Sequence, residues 1–65
     1  MISAGIDCGA KTTKVVVMKD GKIVGKAKVL TGFDQNKTIM EAWDLALNNA
    51  KVSAGDVKQI CGTGS

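Results

Sequence analysis

Between Ile6 and Val15 the chain has room for one tight reversal and little else. Upstream, Ile2, Ala4 and Ile6 alternate with Ser3, Gly5 and Asp7, the period-two pattern of a strand with two unlike faces. Downstream, Val15, Val16 and Val17 form a run of strong β preference. Gly9-Ala10-Lys11-Thr12 is too short for a helix and reads as a turn. The two runs are therefore expected to fold back on each other as a hairpin. The turn offers a row of backbone N–H groups, an anion-binding concavity for which phosphate is a usual ligand.

Asp7 is the informative side chain. It closes an apolar strand, where a carboxylate is costly unless paired or held near a cation. Beside phosphate-binding amides it suits the water shell of a magnesium ion. Gly9 has no side chain to keep a phosphate from its backbone. Thr12 and Thr13 offer hydroxyl donors, and Lys11 or Lys14 a positive charge. The plainer alternative is a polar turn with a solvated carboxylate and ordinary surface lysines. The residues alone leave both open, because short glycine turns are common.

At 65 residues the chain holds one small domain, near the lower limit for an independent core. The net charge of +3 comes from nine lysines and no arginine, spread over every element. Nucleic-acid binding usually brings clustered arginine and stacking aromatics, and here the aromatics are Phe33 and Trp43. No nucleic-acid partner is expected. Cys8 and Cys61 are too sparse for a disulfide framework and read as free thiols. With no histidine and no close-spaced cysteines, a zinc-type site is not expected. No signal peptide or long apolar span is seen, so no membrane partner is expected and the cytoplasm is the default location.

Asp20-Gly21 between apolar runs is a strong hairpin signal, since both positions of such a turn favour positive φ. A third strand should run from Lys22 to about Thr31, with Ile23, Ala27 and Val29 on one face and Val24, Lys26, Lys28 and Leu30 on the other. Its lysines suit an exposed edge. After a loop at Gly32–Gln35, Asn36 or Thr38 is the candidate helix cap, Thr38 with Glu41 also fitting a capping box. Ile39, Trp43, Ala46, Leu47 and Ala50 mark the apolar stripe of an amphipathic helix, with Trp43 as a core anchor. Ser53-Ala54-Gly55-Asp56 reads as a capped single turn, Val57–Cys61 as a fourth strand, and Gly62-Thr63-Gly64-Ser65 as a mobile glycine-rich end. The order is β-β-β-α-β, a mixed α/β (α+β) sheet in which strand four runs parallel to a strand of the first meander. One helix covers one face, so the face carrying Val16 and Met18 should be left open, and further structure is expected beyond these elements.

Residues 5–14, GIDCGAKTTK, resemble the first phosphate loop of the actin-like, sugar-kinase and heat-shock chaperone ATPase superfamily, whose pattern is Asp-x-Gly-(Ser/Thr)-x-(Ser/Thr)-x-Lys. Asp7, Gly9, Thr12 and Lys14 fall on or next to it. The extended form, GID-x-G-x-x-x-x-K with an apolar run and a Lys-Asp-Gly turn behind it, is closer to one branch, the BadF/BadG/BcrA/BcrD-type ATPases. That branch includes the activator of 2-hydroxyacyl-CoA dehydratases and the ATPase subunits of benzoyl-CoA reductase. Ala10 departs from the pattern. It stands where the superfamily usually has Ser or Thr, which leaves its backbone N–H as the contact.

The resemblance covers essentially the whole chain and implies a fragment. Residues 1–65 would be the N-terminal part of the first lobe of a ribonuclease H-like, actin-type ATPase domain, with no second domain. It assigns Asp7, as catalytic residue, to the water shell of magnesium, Gly9, Ala10 and Thr12 to the β- and γ-phosphates, Lys11 to the same loop, and Lys14 to its end in a supporting role. The implied cofactors are ATP or ADP with magnesium, and an iron–sulfur cluster whose ligands lie outside this chain; neither Cys8 nor Cys61 matches them. The implied partners are nucleotide and an acyl-CoA dehydratase or reductase component, in a homodimer or pseudo-dimer. The implied work is ATP hydrolysis coupled to low-potential electron transfer, for which this piece alone would be inactive. A kinase or ATPase of another branch, or a purely structural domain, are the alternatives.

Overall fold

The hairpin forms where the alternation places it. In the computed structural model, which describes residues 1–64, β1 (Ile2–Cys8) and β2 (Thr12–Lys19) pair antiparallel, with Ile6 opposite Val15 and Asp7 opposite Lys14. The turn is one residue tighter than the sequence suggests. Thr12 already belongs to β2, opposite Leu30 of β3 (Lys22–Leu30), so Gly9, Ala10 and Lys11 alone make the reversal. The second reversal places Asp20 at φ 51 and Gly21 at φ 83, the paired positive values expected of Asp-Gly. Asp20 also accepts a hydrogen bond from the Met1 ammonium at 2.7 Å, which holds its carboxyl below the usual range. Both groups are exposed, so this pair orients the first residue more than it stabilises the fold.

The register between β2 and β3 slips once. Val17 faces Gly25 and Met18 faces Ile23, so Val24 has no opposite number. This bulge reverses the alternation on its far side. Gly25, Ala27 and Val29 pair with the buried Val17, Val15 and Thr13, as expected for Ala27 and Val29. Ile23, expected to share their face, is carried by the bulge to the open side and is 61% exposed. Alternation cannot foresee this, because a bulge changes its phase.

Helix α1 (Gln35–Ala50) is capped two residues before the earlier expected cap, Asn36. Asp34 is the N-cap, its carboxylate accepting from the Lys37 N–H at 3.1 Å. Neither Asn36 nor Thr38 caps. Thr38 lies inside the first turns, buried, donating to the Asp34 carbonyl at 3.0 Å and accepting from the Gly32 N–H at 3.1 Å. The buried line is Thr38, Ala42, Ala46 and Leu47, with Trp43 packed at its flank against the core of Val15 and Val17. Small residues at the centre let the helix lie close to β2 and β3. At its C-terminal end Ala50 rests directly on Gly25.

The helix stops in a left-handed residue, Lys51 at φ 59, with its N–H donating to the Asn48 carbonyl and the Val52 N–H to that of Leu47. This is the paired bonding that normally selects glycine at this position. Lys51→Gly is therefore expected to raise stability by about 0.5–1 kcal/mol, since relief of the left-handed strain outweighs the added freedom of the unfolded chain. An unchanged or lower urea midpoint would contradict this.

A short 3-10 turn, Ala54–Asp56, follows, closed by the Ser53 N–H donating to Asp56 Oδ2 at 3.0 Å, as its sequence suggests. The last strand is longer than expected. β4 (Val57–Gly64) runs parallel to β1 and continues through Gly62, Thr63 and Gly64, because β1 offers a ladder along that whole length. Ser65, the remainder of the glycine-rich end, lies outside the described residues. The sheet order is β3-β2-β1-β4. The helix packs on β3 and β2 and barely reaches β1. The opposite face, with Val16 and Met18, is bare, as the single helix implies. No helix among the described residues is long and apolar enough to cross a membrane.

Candidate functional site

Strand alternation sorts the candidate residues before any chemistry is considered. Directly opposed residues of an antiparallel pair share a face. Asp7 and Lys14 are opposed, and Thr12 lies two residues from Lys14, so these three stand on the open side of the sheet. Asp7 and Lys14 are exposed, and with Gly5, Val16 and Cys61 they line a shallow hollow of about 310 Å³. Beyond Asp7, the backbone of Thr63 on β4 is its parallel neighbour, which brings the glycine-rich end alongside the carboxylate.

Thr13 is on the other side. It is fully buried under the helix, and its hydroxyl lies 2.9 Å from that of Thr31 and 3.6 Å from Cys8 Sγ. It is a strut within the fold, and its hydroxyl is not turned toward Asp7. Gly9, Ala10 and Lys11 form the turn itself. The Gly9 N–H donates to the Thr12 carbonyl at 2.9 Å, so the turn does not present a full row of free amides. Among the described residues, the N–H groups of Ala10 and Lys11 have no acceptor within the chain, and both residues are exposed. These two amides are what the turn can offer an anion.

Thr31 holds the turn in place, and the sequence reading missed it. Its N–H donates to the Lys11 carbonyl and its hydroxyl to the Gly9 carbonyl, each at 2.9 Å. That hydroxyl also lies 2.9 Å from that of Thr13, which in turn donates toward Cys8 Sγ at 3.6 Å. No local signal announces this. Thr31 reaches Gly9 across 22 residues of sequence, and only the register of β2 on β3 brings them together.

Among the described residues no three His, Cys, Asp or Glu side chains gather as a metal site. A lone exposed carboxylate is a poor cage for a cation but a reasonable anchor for the water shell of one carried in by phosphate.

The sheet and its helix match the BadF/BcrA-type actin-like ATPase fold, of which this chain presents a segment. The chain is similar to component A of the (R)-2-hydroxyglutaryl-CoA dehydratase of Acidaminococcus fermentans, with 29% identity and a TM-score of 0.90, over 100% of this chain and 25% of that one. It is also similar in fold to the activator of the 2-hydroxyisocaproyl-CoA dehydratase of Clostridium difficile, solved with bound ADPNP, with 24% identity and a TM-score of 0.83, over 98% of this chain and 24% of that one. In sequence it is 44% identical over 54 residues to an uncharacterized protein of Methanocaldococcus jannaschii, covering 83% of this chain and 12% of that protein. The chain thus spans about a quarter of the two activators and less of the archaeal protein. No family model matches the sequence.

Proposed function

We propose that residues 1–65 are the N-terminal part of the first lobe of an actin-like ATPase domain. The parent protein would be an activator that couples ATP hydrolysis to low-potential electron transfer toward an acyl-CoA dehydratase or reductase. The observation that carries this reading is the superposition of the entire chain on an activator at a TM-score of 0.90. The bound ADPNP of the second activator adds nucleotide as the ligand class. In this reading the free amides of Ala10 and Lys11 meet the β- and γ-phosphates, with Gly9 leaving the approach clear and the Thr12 hydroxyl beside them. Lys14 contributes positive charge next to Asp7. Asp7 orients water on a magnesium ion. A magnesium ion held through water at Asp7 would supply neutralisation of the charge that develops on transfer. The residues present fit such an ion only through water. An iron–sulfur cluster would take its ligands outside this chain, as would the dimer and the dehydratase partner their contacts.

The test is calorimetric titration of the full-length protein with Mg-ATP, beside an ATPase assay of the 65-residue chain alone. Binding by the full-length protein and no turnover by the chain are expected, because one hairpin supplies few of the contacts that phosphoryl transfer needs. Absence of Mg-ATP binding by the full-length protein would refute the nucleotide reading and leave a structural domain. Turnover by the clean 65-residue chain would refute the need for a second lobe.

A further inference from the structure

Peptide geometry makes the contacts of Thr31 more than structural. In a trans peptide the C=O and the following N–H point in opposite directions. The chain has no cis bonds among the described residues. Pinning the Gly9 carbonyl to the Thr31 hydroxyl therefore aims the Ala10 N–H away from β3. Pinning the Lys11 carbonyl to the Thr31 N–H does the same to the Thr12 N–H. Both carbonyls, which would repel an anion, are drawn to one side by a single residue. Behind it stands Thr13, with no exposed surface, whose hydroxyl shares a 2.9 Å hydrogen bond with Thr31 Oγ1 and braces its rotamer. A buried hydroxyl is costly unless satisfied, and that of Thr13 is satisfied by Thr31 and Cys8.

We propose that Thr31 is a positioning residue for the anion-binding turn, holding the carbonyls of Gly9 and Lys11 back so that the Ala10 amide faces phosphate, with Thr13 as its support. This rests on the nucleotide reading above for the identity of the anion, while the clamp itself does not. Thr31→Val keeps the shape and the backbone bond to Lys11 but removes the hydroxyl bond to Gly9. Thr31→Ser keeps both.

The experiment uses the full-length protein with Mg-ATP and adenosine as probes, and amide NMR of the nucleotide-free state. Thr31→Val is expected to weaken Mg-ATP binding about tenfold, the equivalent of one good hydrogen bond, while adenosine binding is unmoved and Thr31→Ser is close to wild type. Without nucleotide, the Ala10 amide resonance should shift and exchange faster in Thr31→Val only. Equal Mg-ATP affinity in Thr31→Val and wild type overturns the proposal, as does an equal loss in Thr31→Ser, which would trace the effect to packing. If Thr31→Val does not fold, Thr13→Val, which removes only the supporting hydroxyl, is read by the same criteria. A wild type that binds no Mg-ATP refutes the nucleotide reading and the phosphate role with it. An unmoved Ala10 amide in nucleotide-free Thr31→Val refutes the clamp alone.

Discussion

Asp7→Asn in the full-length protein is expected to fold normally and to lose ATP turnover by about 10²- to 10³-fold, the scale set by removing one preorganised electrostatic contact from a transition state. The substitution keeps the size, removes the charge and turns one acceptor oxygen into an NH2 donor. Asp7 is exposed and accepts no hydrogen bond from the described residues, so stability should stay within about 0.5 kcal/mol of wild type. The separation of the two effects carries the test. A structural carboxylate would shift the unfolding midpoint and leave turnover alone. Steady-state hydrolysis within a few-fold of wild type, with an unchanged melting curve, would remove Asp7 from the site and leave Lys14 a surface lysine.

Gly25→Ala is the substitution expected to damage the fold most. A Cβ built at Gly25 falls 2.5 Å from the Ala50 backbone nitrogen and 2.7 Å from its Cα. Backbone atoms cannot rotate aside as a side chain can. The C-terminal end of α1 must lift, taking with it the bond from Asn49 Nδ2 to the Lys26 carbonyl at 2.9 Å. Overpacking of this kind costs about 1–3 kcal/mol or more, against the roughly 3–5 kcal/mol that one small core supplies. Far-UV circular dichroism in urea should show a largely unfolded variant or a steeply lowered midpoint. Gly5→Ala is the matched control. It lies on the bare face with nothing within 4 Å of its Cβ, and should change stability by less than about 0.5 kcal/mol. Comparable losses in both would mean that strand glycine as such, and not the approach of the helix, sets the cost.

Much of this architecture is legible in the residues themselves. The alternation through Ile2–Asp7, the valine run and Asp20-Gly21 specify the meander and its two turns, and they place Asp7 opposite Lys14 once the hairpin is closed. What escapes is whatever depends on the phase or reach of distant elements. Ile23 changes face because of a bulge that leaves no mark in composition. The cap falls to Asp34 because Thr38 is drawn into the core, a tertiary choice between two capable residues. Thr13 and Thr12 are adjacent and chemically alike, yet strand geometry sends one inward and leaves the other beside Lys14. Thr31 is invisible as a site residue until β3 lies against β2.

The parallel ladder of β4 on β1 gives the carboxylate two flanking strands of very different origin. Lys14 comes from the neighbouring arm of the same hairpin, while Thr63 arrives from nearly the other end of the sequence. A nascent chain can therefore shape the turn early, but the lateral wall beside Asp7 waits for the whole segment to be synthesised and for the helix to carry the chain across. Assembly of the pocket is tied to completion of the sheet, and a half-made chain presents the turn without its wall.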